Sequence, residues 1–120
     1  MTVVYGIPNC DTCRKARRWL EANGIEYRFH DLRADGLDAN QVEAWLQRSD
    51  ASVLVNRRST TWRQLADGER RQADGPDVAR LLAANPTLVK RPLLETDGTC
   101  LVGFAEAAWR QALMDARDKA

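Results

Sequence analysis

Thr2-Val3-Val4-Tyr5-Gly6-Ile7-Pro8-Asn9-Cys10-Asp11-Thr12-Cys13-Arg14-Lys15-Ala16-Arg17-Arg18-Trp19-Leu20 changes character twice. Thr2 to Tyr5 is apolar and largely β-branched, the composition of a buried strand. Gly6-Ile7-Pro8-Asn9 interrupts it. From Arg14 the spacing becomes helical, with Ala16, Trp19 and Leu20 on one face and basic residues opposite. Gly24 follows the expected helix Arg14 to Asn23 as a C′ glycine. Two cysteines, Cys10 and Cys13, sit where the strand gives way to the helix.

Downstream, Ile25, Tyr27 and Phe29 alternate with Glu26, Arg28 and His30, the period of a strand with one buried face. Strand, helix, strand implies a right-handed crossover and two parallel strands. Asp38 with Gln41 forms a capping-box pattern before Val42, Trp45 and Leu46. Further short helices are expected near Ser59 or Thr60, and at Gly75-Pro76 with proline at the first helical position. Asn85-Pro86 closes this helical section. Leu88 to Leu94 reads as a third strand. Asp97-Gly98 supplies a hairpin turn, and Cys100 to Val102 returns antiparallel. A last helix is expected from about Ala105 to Ala116, burying Ala108, Trp109, Ala112 and Leu113. The order is β-α-β, a helical block, then β-β-α. That is an α/β fold with a thioredoxin-like mixed four-stranded sheet, one domain over residues 1–120 carrying a helical insert at approximately 38–86.

The totals agree with a globular chain. Hydrophobic residues are 44% and charged residues 29% of 120, which excludes a disordered chain. A net charge of +1 gives no reason to expect nucleic acid or an anionic membrane as partner. The first residues lack a signal-peptide pattern, and no apolar run approaches the ~18 residues of a membrane helix. The expected setting is the cytoplasm, where thiols stay reduced, and the expected state is a monomer. An odd count of 3 cysteines argues against a disulfide framework.

At a helix start, unpaired backbone N–H groups and the helix dipole favour an anion. A thiolate at Cys10 is stabilised there and its pKa falls. Cys13 and Arg14 follow at three and four residues, so both lie on the face above Cys10. Cys13 can act as a resolving thiol and Arg14 as a nearby positive charge. Asn9 caps the helix or orders the loop. Three other readings stand beside this one. Cys10, Cys13, Cys100 and His30 together could form a Cys₃His zinc set, though His30 and Cys100 come singly from two separate strands. Both CxxC cysteines could simply be buried. Cys100 itself reads as an inert strand residue.

These pieces together resemble the ArsC/Spx family, most closely its YffB branch. The resemblance rests on Val4 to Thr12, Lys15-Ala16-Arg17-Arg18-Trp19-Leu20, Tyr27-Arg28-Phe29-His30-Asp31, Asn56-Arg57-Arg58-Ser59-Thr60-Thr61-Trp62-Arg63 and Lys90-Arg91-Pro92-Leu93-Leu94. It covers nearly the whole chain. It implies a thioredoxin-like fold with a helical insert, and a cysteine at position 10 that takes part in glutathione-coupled reduction. It also implies a cis peptide bond before Pro92. Arg91 matches the family arginine that precedes this proline, and Arg57 or Arg58 matches a second anion-binding arginine. Read from the residues alone, Arg91 lies in an apolar strand and needs an anionic partner or a route to solvent. Arg57 and Arg58 could equally be a solvated pair.

The expected function is that of a glutathione-dependent thiol-disulfide reductase. Cys10 attacks the substrate sulfur, and glutathione or Cys13 resolves the intermediate. Asn9, Thr12, Arg14, Arg57, Arg58, Arg91 and Pro92 are the candidate substrate- or glutathione-binding residues. No bound cofactor or metal is expected. Glutathione is the co-substrate, small-molecule or protein disulfides are the substrates, and glutaredoxin or thioredoxin are further candidate partners. Two rivals share the family. Arsenate reductases place another arginine in the hairpin after the Arg-Pro element, where this chain reads Asp97-Gly98-Thr99-Cys100-Leu101-Val102. An oxyanion would lose a bidentate partner there, which counts against arsenate. A Spx-like regulator that binds RNA polymerase would use the same CxxC as a redox switch.

Overall fold

The computed structural model describes residues 1–115. They fall into two compact units, one formed by Met1–Asp31 with the chain from Arg91 onward, the other by Leu32–Lys90.

The first unit holds a four-stranded sheet. Its strands are β1 (Val3–Gly6), β2 (Arg28–Asp31), β3 (Leu93–Thr96) and β4 (Thr99–Val102). The sheet order is β2-β1-β3-β4. β1 and β2 run parallel, with Val4 opposite Phe29, while β1/β3 and β3/β4 are antiparallel. This is the thioredoxin-like mixed sheet expected from the element order. α1 (Asp11–Ala22) makes the crossover between β1 and β2, and α7 (Glu106–Arg110) follows β4.

Alternation along β1 divides its side chains between two faces. Val4 points into a core with Ala16 and Leu20 of α1, Ile25, Leu94, Trp109 and Leu113. Tyr5 points the other way, its ring 4.8 Å from that of His30 and its hydroxyl donating to Glu95 at 3.3 Å. Trp109 is fully buried, donates from Nε1 to the Gly103 carbonyl at 3.0 Å, and meets Phe104 edge-on at 4.9 Å. Asp97 and Gly98 both have positive φ, 42° and 82°, as a two-residue type I′ hairpin turn requires.

The second unit is helical: α2 (Ala39–Leu46), α3 (Ala51–Leu54), α4 (Thr60–Gln64), α5 (Asp67–Arg71) and α6 (Val78–Ala84), with 3₁₀ turns at Gln72–Asp74 and Pro86–Leu88. The capping box at Asp38 and Gln41 is present, and Ser59 caps α4 by accepting from the Trp62 amide. Val42, Trp45, Leu81 and Leu82 are buried, and α2 packs on α6.

Several boundaries differ from the sequence reading. α1 begins at Asp11, not Arg14, because Cys10 already takes the N-cap conformation (φ −99°, ψ 125°) and its carbonyl accepts from Arg14 N at 2.9 Å. An acidic first residue suits the positive helix end. β2 begins at Arg28, since Ile25 is held by its amide to Leu20 O at 3.0 Å and pairing with β1 starts only at Val3. α6 starts at Val78, with Gly75 and Pro76 in the turn before it. β3 starts at Leu93, not Leu88. Val89 bridges Val55, and the Lys90 amide donates to Leu54 O at 2.8 Å, so these residues belong to the helical unit. Pro92 has no N–H to give to a ladder. After α7, Gln111–Asp115 widens into a π-helical turn, and Ala116 lies outside the described residues. Trp109 and Leu113 are buried as expected, whereas Ala108 and Ala112 are only half-buried.

Candidate active site

The site grows from the end of β1. Gly6 is the last residue of the strand, and Ile7 to Asn9 form a turn closed by Cys10 N donating to Ile7 O at 3.3 Å. This places Cys10, half-buried, at the N-cap of α1 and Cys13 one turn inside it, fully buried. Asn9 is exposed and precedes the N-cap position, which Cys10 occupies, so it does not cap α1.

The two thiols differ in acidity for identifiable reasons. Partial burial works against a thiolate at Cys10. The Cys13 amide, the Cys13 thiol, the Thr12 amide and the Arg91 guanidinium outweigh it by hydrogen bonding to the sulfur, and the pKa falls below that of an ordinary thiol. Burial dominates at Cys13 and pushes its pKa up to about 11. The Ile7 amide opposes that rise, while the bond Cys13 donates to Cys10, and the Cys10 charge, reinforce it. The pair therefore holds one proton on Cys13 and leaves Cys10 as the sulfur that ionises first.

Arg91 reaches this site from the other side of the sheet order. It is half-buried, directly precedes β3, and is joined to the buried Pro92 by a cis peptide bond, as the resemblance implied. The Pro92 carbonyl accepts from Gly103 N at 2.7 Å, which ties this turn to the end of β4.

Cys10, Thr12, Cys13 and Arg91 are thus brought together. Thr12 takes part through its backbone amide. Arg14 is exposed and pairs with Asp11 at 3.6 Å, and the guanidinium that bonds Cys10 is that of Arg91. Arg57 and Arg58 belong to the helical unit. Arg57 pairs with Asp74 at 2.6 Å and lies 4.9 Å over the Trp62 ring. Arg58 is exposed and lines a groove of about 510 Å³ with Asn56, Arg57 and Lys90. The zinc alternative has no geometric support. His30 on β2 and Cys100 on β4 occupy opposite edges of the sheet, about 14 Å apart at ~4.8 Å per strand. Among the described residues no three His, Cys, Asp or Glu side chains gather as a metal set. No helix among them is long and apolar enough to cross a membrane.

One contributor escaped the sequence reading: the Ile7 amide, which a side-chain motif cannot reveal.

Comparison with known proteins agrees with the fold. The model of the ArsC family matches residues 5–112. An uncharacterized protein of Haemophilus influenzae is 46% identical over 112 residues, covering 93% of this chain and 98% of its own. The global transcriptional regulator Spx of Lactiplantibacillus plantarum is 25% identical over 115 residues, covering 94% of this chain and 86% of its own. Among solved structures, a YffB protein has a TM-score of 0.89 and 38% identity, with 94% of this chain and 99% of that one covered.

Proposed function

The chain belongs to the ArsC family, whose arsenate-reductase-like and Spx-like members share a thiol-based chemistry, and we propose that it is a glutathione-dependent thiol-disulfide reductase with Cys10 as nucleophile. The observation that carries this reading is the inequality of the two thiols. Cys10 is accessible and acidified, while Cys13 is buried and keeps its proton to about pH 11. A thiolate attacks disulfides and a thiol does not.

The Cys10 thiolate attacks one sulfur of a glutathione mixed disulfide. A new S–S bond forms to Cys10, and the other sulfur leaves as a thiolate that takes up a proton. With glutathione on Cys10, a second glutathione thiolate attacks, releases oxidised glutathione and restores the Cys10 thiolate. Alternatively Cys13 loses its proton and attacks Cys10, expelling glutathione and leaving a Cys10–Cys13 disulfide. The Thr12 and Cys13 amides and Arg91 lower the energy of Cys10 as leaving group and nucleophile alike. Arg91 supplies positive charge for a substrate carboxylate, and Asn9, Arg14 and Pro92 remain further candidates for substrate contact. Arg57 and Arg58 supply further anion-binding candidates. The hairpin from β3 to β4 carries no arginine, which favours a disulfide over arsenate.

The test is turnover of a glutathione mixed disulfide coupled to oxidised-glutathione reduction. The parent and Cys100→Ser should turn over and Cys10→Ser should not. Absence of turnover in the parent, together with tight binding to bacterial RNA polymerase, would replace the enzyme with a regulator using the same thiols.

A further inference from the structure

We propose that Gly6 is a positioning residue for the Cys10–Cys13 pair: the space left by its missing side chain is where the Cys13 sulfur lies, and filling that space drives the sulfur away from Cys10. The inference deepens the function proposed above and rests on Cys10 being the nucleophile.

Nothing in the backbone calls for glycine at this position. Gly6 closes β1, lies opposite Asp31 in the parallel register, and is not among the residues with positive φ. A strand favours a β-branched or aromatic side chain, and glycine within one marks a close approach by something else. The approach here is specific. A Cβ at Gly6 would stand 2.6 Å from Cys13 Sγ, and 3.5 Å from both Cys13 Cβ and Phe29 Cε1. The two longer distances are ordinary contacts, so the sulfur alone forbids a side chain.

That sulfur has little freedom to yield. Gly6 shares the β1 face of Val4, against which α1 packs, and Cys13 is 0% exposed within α1. Its Sγ accepts from the Ile7 amide and donates to Cys10. Helical backbone also restricts the rotamers open to it. An added methyl group at Gly6 must displace Sγ, and the displacement breaks the bond that Cys13 gives to Cys10.

The experiment follows Cys10 alkylation by iodoacetamide against pH, read by peptide mass spectrometry, with thermal unfolding of each protein. The set is the parent, Gly6→Ala, Cys13→Ala and Gly6→Ala/Cys13→Ala. Gly6→Ala should raise the Cys10 midpoint by about one pH unit, the scale of one hydrogen bond to a charged group. In the Cys13→Ala background, where no sulfur contests the space, Gly6→Ala should leave the midpoint and the unfolding temperature unchanged. A folded Gly6→Ala with the parental midpoint overturns the inference. So does a double variant whose midpoint differs from that of Cys13→Ala. If Gly6→Ala fails to fold, a folded double variant supports the inference and an unfolded one overturns it. A parental midpoint as high as that of an ordinary thiol sinks the functional reading and this inference with it. A low parental midpoint without the Gly6 response sinks the inference alone.

Discussion

Replacing Arg91 with alanine removes the cationic donor that, among the described residues, bonds the Cys10 sulfur. A hydrogen bond to a charged group contributes about 1.5–3 kcal/mol. Arg91 and Cys10 are both half-buried, so solvent screens part of this. The Cys13 and Thr12 amides and the Cys13 thiol also remain. The lower end of the range is therefore the relevant one, and the Cys10 midpoint should rise by about one pH unit. Below both midpoints the thiolate fraction then falls about tenfold. The more basic thiolate is intrinsically about threefold more nucleophilic, given a Brønsted slope of ~0.4–0.5, so the observed rate falls only about three- to fourfold. The midpoint of alkylation against pH is thus a cleaner readout than the rate at one pH. Arg91→Lys keeps the charge without the planar fork and should recover part of the shift. An Arg91→Ala midpoint equal to the parent's refutes the reasoning. A large fall in unfolding temperature with an unmoved midpoint would make Arg91 a structural residue.

Cys13, with its pKa raised to about 11 from the ordinary thiol value of 9.0, holds its proton more tightly folded than unfolded. Its contribution to stability is therefore complete below pH 9.0 and is lost as pH rises toward 11. Urea midpoints measured from pH 8 to 11 should fall more steeply for the parent than for Cys13→Ala, and parallel curves would contradict this. Trp109→Phe removes the bond to the Gly103 carbonyl and leaves a void beside Phe104. The cost should be about 2–3 kcal/mol, a fall of roughly 10 °C in Tm, and a Tm within about 2 °C of the parent would show that the void closes. Arsenate turnover with glutathione and glutaredoxin should be weak or absent, since the β3–β4 hairpin offers no arginine, and efficient turnover would overturn that reading.

The elements legible in the sequence were those that carry their own local signature. Val3 to Tyr5 is a strand buried along its length, as its apolar composition implies, Asp38 and Gln41 form the capping box, and Asp97-Gly98 takes the two positive φ values of the hairpin turn. Boundaries set by partners distant in sequence were not legible. Val89 has the same strand-like composition as Leu93, yet pairs with Val55 rather than with β1. Ile25 alternates like a strand residue but is tied to the end of α1. The same division holds at the site. Cys10 at a strand-to-helix junction announced an acidified thiol, because helix ends act locally. The placing of Arg91 against Cys10 depends on the β1–β3 pairing, which the element order implied but no local signature encodes. Gly6 acts through a contact with a side chain seven positions on, across a change of secondary structure, and no periodicity encodes it.

The central claim, that Cys10 is the sulfur which exchanges with glutathione, is tested most directly by trapping the intermediate. The Cys13→Ser variant, otherwise intact, is treated with oxidised glutathione at neutral pH, digested and mapped by mass spectrometry. The account predicts one glutathione per chain, on Cys10, removed by excess reduced glutathione. A glutathione on Cys100 alone, or an unmodified Cys10, would contradict it.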